Sequence, residues 1–146
     1  MAQFSRPDND LVDGAWLNQA GSNVNMYQSI DESSADDADY VKSETAPSSS
    51  AMAVNLSNVE DPLSSTGHII RYRYQKSASG GAQINLTVQL RQGYTTEGAQ
   101  GTLIHSEVHS NIPNGWTAGT FTLSSGEADA ITDYNDIQFR FVATQV

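Results

Sequence analysis

Cysteine is absent from the 146-residue chain. That excludes disulfide staples, thiolate metal sites and a Cys nucleophile, and leaves the compartment open, since domains of this size manage without bridges on either side of a membrane. Basic residues are scarce: 7 Lys and Arg stand against 17 Asp and Glu, for a formal net charge of -10. Arg6, Lys42, Arg71, Arg73, Lys76, Arg91 and Arg140 are scattered along the chain. A nucleic-acid surface needs clustered cations to displace phosphate counterions, and an anionic membrane repels a chain of this sign. Neither is expected as a partner. Long apolar runs are missing too. No stretch approaches the ~20 residues of a membrane helix, and the residues up to Asp8 contain no apolar signal core. Synthesis and initial folding in a cytoplasm are therefore expected, and the sequons at Asn55 and Asn85 read as chance matches.

What the chain does have is small polar residues and recurring apolar ones. Hydrophobic residues make up 38% and charged residues 16%, with Ser, Thr, Asn, Gln and Gly filling much of the rest. This favours strands and turns over helices. The clearest pattern is 83–91, where Ile84, Leu86, Val88 and Leu90 alternate with Gln83, Asn85, Thr87, Gln89 and Arg91, the mark of an antiparallel strand with one buried face. Between His68 and Lys76, Ile70, Tyr72 and Tyr74 share a face, and the Ser77–Gly81 stretch supplies a hairpin connection to the next strand. Further strands are read at 51–54, 102–110, 116–123 and 136–144, the last burying Ile137, Phe139, Phe141 and Ala143 and exposing Gln138, Arg140 and Val142. Ile112-Pro113-Asn114-Gly115 is a turn in which Asn-Gly takes the left-handed conformation. Ser124-x-x-Glu127 is a capping box that predicts one helical turn. Regular strands without a long helix predict an all-β fold, a single antiparallel β-sandwich or jelly-roll domain.

Composition shifts near residue 50. The leading third is acidic, with short apolar pieces between turn signals, and ends in Ala46-Pro47-Ser48-Ser49-Ser50. Residues 1–50 are read as an extended acidic N-terminal arm with short strands, packed on its own domain through Trp16, Tyr27 and Tyr40 and lacking a stable form until something holds it. Residues 51–146 are read as the β-sandwich domain.

Candidate chemistry is thin. His105, Glu107 and His109 alternate on one strand face, but residues four apart on a strand lie ~13 Å apart and cannot grip one ion. They are read as the polar solvent face of a half-buried strand. The acidic run from Asp31 to Asp39 lacks the glycine and terminal Glu of a Ca²⁺ loop and reads as a solvated or docking surface. No nucleophile elbow, phosphate loop or zinc-protease motif is present; no catalytic residue, metal or cofactor is assigned. Aromatic side chains on strands fill or rim a core more often than they stack sugars, with Tyr94, in a glycine-flanked loop, the better candidate for a ligand contact.

Three segments carry a resemblance. Arg6-Pro7-Asp8 with Gly14-Ala15-Trp16, the stretch from Tyr27 through Ile30-Asp31-Glu32 to Asp36-Asp37-Ala38-Asp39-Tyr40-Val41, and the run from Leu123 through Glu127-Ala128-Asp129-Ala130-Ile131-Thr132-Asp133-Tyr134 to Phe139-Arg140-Phe141 resemble small structural proteins of tailed bacteriophages. The resemblance implies a non-enzymatic virion component with a jelly-roll-like sandwich. A capsid decoration (cement) protein on the phage head surface is the reading it favours. Its partners would be the major capsid protein and neighbouring copies of itself as a homo-oligomer, a trimer being one option, with contacts through Phe4, Arg6, Trp16, Tyr27 and Tyr40. A glycan-binding adhesin module, or another structural component of the tail or fibre, is the alternative.

Overall fold

A computed structural model describes residues 2–78 and 80–146. Among the described residues, nine strands form three antiparallel sheets. The largest orders its strands β1 (Pro7–Val12), β4 (Ser50–Leu56), β9 (Ile137–Gln145), β6 (Ile84–Gln92) and β7 (Thr102–His109). β5 (Ile69–Tyr74) pairs with β8 (Thr117–Thr122), and β2 (Leu17–Asn18) with β3 (Val41–Lys42). The all-β, antiparallel class expected from the alternation is the one the chain adopts.

The period-two faces explain the layering. Along β6 and β9, Val88, Leu90, Ile137 and Ala143 are buried, and Leu86, Phe139 and Phe141 pack against them from the same side. This inner face meets β5–β8 through Ile70, Phe121 and Leu123. The helical turn α1 (Ser125–Asp129) closes that end, buries Ala128 and carries the expected capping box, Ser124 and Glu127 each accepting from the other's backbone N–H.

The expected hairpin across 77–81 is not formed. Ser79 lies outside the described residues, and the strands on either side lie in different layers, β5 with β8 and β6 between β9 and β7. Both edges of β6 are occupied, so β5 has no place beside it. In the 112–115 turn the left-handed residue is Asn111 (φ 47), one position ahead of the Ile-Pro-Asn-Gly run.

The leading third differs most from the expectation. β1 pairs with β4 across the supposed boundary, Asn9 opposite Asn55 and Asp10 opposite Val54. Beyond β1 the chain reverses at Gly14 (φ +54), where a Cβ would overlap the Ala51 carbonyl oxygen. It then lays Trp16 and Met26 onto Met52, Val54 and Ala143. Met26 is fully buried and opens a 3-10 turn, Met26–Ser29. The Asp10 carboxylate holds that turn, accepting from the backbone N–H groups of Met26 and Tyr27 at 2.7 Å each. Residue 50 is therefore no division in the packing: the β5–β8 pair covers half of the large sheet and the leading segment covers the other half. The Met26→Ala substitution is expected to cost about 2–5 kcal/mol by leaving a cavity in that second cluster. Urea unfolding monitored by far-UV circular dichroism measures it, and a loss below about 1 kcal/mol would mark the leading segment as energetically separate from the sheet.

Candidate functional site

Side chains alternate across a sheet, so covering one face of the five strands turns the second set of side chains outward. On that outer face, polar groups from four strands join into one network. Asn55 donates to Asp8 at 3.1 Å, Gln138 donates to Asn55 at 3.2 Å and to Asp136 at 2.6 Å, and the Gln138 side-chain oxygen accepts from the Tyr94 backbone N–H at 2.9 Å. Arg140 grips Glu97 with both arms of its guanidinium, at 2.7 and 2.5 Å. Arg140 and Arg91 both donate to the Gln89 side-chain oxygen, at 3.2 and 2.8 Å.

The 93–101 connection between β6 and β7 folds over this part of the sheet. Gly101 (φ +59) closes it, at a point where a Cβ would overlap the Gln92 and Gly93 backbone. Tyr94 lies beneath it at 1% exposure, its hydroxyl donating to Glu97. Two expectations are corrected here. Tyr94 is a packed anchor of its loop and presents no ring to a ligand. Gln138, expected to be exposed, is 2% exposed, because β9 is a central strand and the loop roofs its outer side.

The charges are set by these contacts. The bidentate bond to Arg140 holds the Glu97 carboxyl below its ordinary range, and Glu97 in turn raises Arg140. Burial lowers the Arg91 guanidinium, with neighbouring Arg140 adding to the effect. Burial, then the Glu97 contact, pushes the Tyr94 hydroxyl well above its usual value. Both guanidinium groups are engaged within the network, so this patch is built for shape and hydrogen bonding rather than for catching an anion.

Beside the network the outer face is less polar and less covered. Strand register aligns Ala51 with Val142, Val142 with Thr87, and Thr87 with Val108, a cross-strand row over four strands that ends in Val108 at 58% exposure.

The five contact residues predicted from sequence do not converge. Phe4 is 65% exposed, with the Arg6 guanidinium 5.2 Å from its ring centroid, and Arg6 also donates to the Glu32 carbonyl at 3.3 Å. Trp16 is buried at 6% exposure. Tyr27 is half-buried against the Trp16–Met26 cluster. Tyr40 sits 5.8 Å from Trp116, ring to ring. The acidic run is not wholly solvated, since Asp37 is held at 2.5 and 2.8 Å by Arg73 of β5.

The His105–Glu107–His109 face, read as solvent-facing, lies between the layers. Leu90 on the core side is paired with His105, and an irregularity at Ile104 separates that pair from Arg91–Leu103. His105 stacks on Phe121 at 4.1 Å and meets Glu127 at 2.6 Å. His109 stacks on Tyr74 at 4.3 Å and lies 2.6 Å from the Tyr72 hydroxyl, which burial pushes up to about 12. The remaining histidine, His68, meets the Tyr134 hydroxyl at 2.7 Å. Among the described residues, no three His, Asp or Glu side chains group as metal ligands.

Compared with known proteins, the chain matches no family model, no curated protein and no solved structure.

The Glu97→Gln substitution tests the network. Glu97 titrates below its ordinary 4.5 in the folded protein, so its contribution is present above that value and fades as pH falls through the lower, folded one. With the Glu97 side chain 41% exposed, solvent screening holds the expected loss to about 1 kcal/mol or less at pH 7. Denaturant midpoints are expected to differ at pH 7 and to converge toward pH 3. A constant gap across that range would mean the carboxylate charge is not what Arg140 uses.

Proposed function

We propose that the chain is a non-enzymatic structural protein of a tailed-phage virion, a capsid decoration (cement) protein that binds the major capsid protein shell and stabilises it. The reading rests first on the three resembling segments. The observation that supports it best in the fold is the outer sheet face, where the row Ala51, Val142, Thr87 and Val108 runs over four strands beside the Arg140–Glu97 hydrogen-bond network. A cement protein adds buried area across neighbouring subunits without chemistry, and a four-strand row on an outward sheet face suits that task. The chain also passes from layer to layer, β4 to β5 to β6 and β7 to β8 to β9, which is in keeping with a two-layer all-β sandwich. A net charge of -10 favours a neutral or basic partner surface over nucleic acid or an anionic membrane. On this reading the protein is made in the host cytoplasm and resides on the phage head. The glycan-binding alternative draws less support, because its best aromatic, Tyr94, is buried.

Binding to capsids of the encoding phage assembled without this protein is the test. The intact chain is expected to co-sediment with such capsids to saturation and to raise their melting temperature. The Thr87→Lys substitution in the middle of the row is expected to weaken binding by about ten-fold or more, ~1.4 kcal/mol. Absence of capsid binding, together with retention on a host polysaccharide array, would replace this reading with the adhesin.

A further inference from the structure

A sheet that does not close ends in two strands whose outward backbone groups are unpaired, and natural sheets blunt such edges with proline, charge or bulges. The five-stranded sheet treats its two edges differently. β1 carries Pro7, Asp8 and Asp10 and breaks register twice against β4. Among the described residues β7 pairs only with β6; it runs for 8 residues as Thr-Leu-Ile-His-Ser-Glu-Val-His and has no proline, lysine or arginine. Two of its side chains, Leu103 and Val108, are apolar and exposed at 46% and 58%. β1 is the more heavily blunted edge; β7, with one irregularity at Ile104 and the single carboxylate of Glu107, is the more open one.

We propose that β7 is a pairing edge and that its occupant is β7 of a second copy of this chain, antiparallel about a two-fold axis at Ser106. The side-chain pattern and the strand's length favour that register, which keeps 103–109 paired. A two-fold centred between residues sets inner side chains against outer ones and breaks the continuity of the two layers. Centring on Glu107 opposes two carboxylates, and like charges directly across are unfavourable; centring on His105 sets Glu107 across from Leu103 with no imidazole opposite it. Centring on Ser106 places each His105 across from Glu107 of the second copy, the same two groups that already approach to 3.4 Å along one strand. On the outer face it brings Val108 beside Leu103 of the second copy, with the irregularity at Ile104 taken up between them. The two exposed apolar side chains of the edge then cover each other, and the paired sheets run on as ten strands. A two-fold, isologous contact of this kind closes on itself and does not propagate. The pairing stands independently of the capsid reading.

Sedimentation of the intact chain from about 1 µM to about 300 µM reads dissociation constants within that range, roughly 5 to 8 kcal/mol of association. The mass is expected to rise from 15.7 kDa toward twice that value. Because the chain has no cysteine, Ser106→Cys introduces a single thiol at the axis. Directly opposed strand residues lie ~4.5–5.5 Å apart at Cα, within disulfide reach, so mild oxidation is expected to link Ser106→Cys chains at least about ten-fold faster than Asn9→Cys chains, whose thiol sits on the β1 edge. Val108→Lys is expected to weaken association about ten-fold or more, while Asn9→Lys leaves it unchanged. A constant monomer mass over the whole range, a three-chain mass, equal cross-linking at both edges, or a dimer indifferent to Val108→Lys would each overturn the proposal.

Discussion

One constraint organises this molecule: a five-stranded sheet has to cover a wide inner face with only two strands in the opposing layer. At about 4.8 Å per strand the large sheet is roughly 20 Å across, far more than β5 and β8 can shield. The leading third supplies the rest. Trp16 and Met26 cover Met52, Val54 and Ala143, while Ile70, Phe121 and Leu123 cover Val88, Leu90 and Ile137. Leu86, Phe139 and Phe141 touch both clusters, so the two halves are coupled through β6 and β9 and neither is a free-standing core.

The acidity of the leading third takes on a different meaning in this light. Carboxylates there serve as acceptors that hold an irregular chain in place: Asp10 anchors the 3-10 turn, Asp37 ties the run to β5, and Asp8 joins the outer network through Asn55. The same crowding has a cost. Burial raises Asp13, with Asp10 adding to it, and burial raises Glu32, with the charges of Asp39, Asp31 and Asp36 pushing the same way. A composition that reads as disorder in isolation becomes ordered because each segment has a sheet face to lie on.

Local signals were legible in the sequence and long-range ones were not. The alternation of β6, the strand at β9 and the Ser124–Glu127 capping box follow from neighbours within a few residues, and they appear where the pattern places them. The partner of β5 is a question of which edges are free, and no local pattern carries that answer. The outer network was equally hidden, since Arg140 reaches Glu97 across 43 residues and Gln138 reaches Asn55 across 83. A Gln second in an otherwise apolar-faced strand, facing a Gly-bounded loop, was the one available sign. Among Phe4, Arg6, Trp16, Tyr27 and Tyr40, aromatic character alone did not separate the residue that packs inward, Trp16, from the one that stays outside, Phe4.

The placement of the imidazoles has a practical consequence. His68, His105 and His109 are the chain's 3 histidines, and each touches a different aromatic ring: Tyr134, Phe121 and Tyr74. Their ring resonances in a magnetic-resonance spectrum would form a built-in gauge with three separate points along the join, reporting whether a perturbation parts the small sheet from the large one at one end, at the other, or throughout.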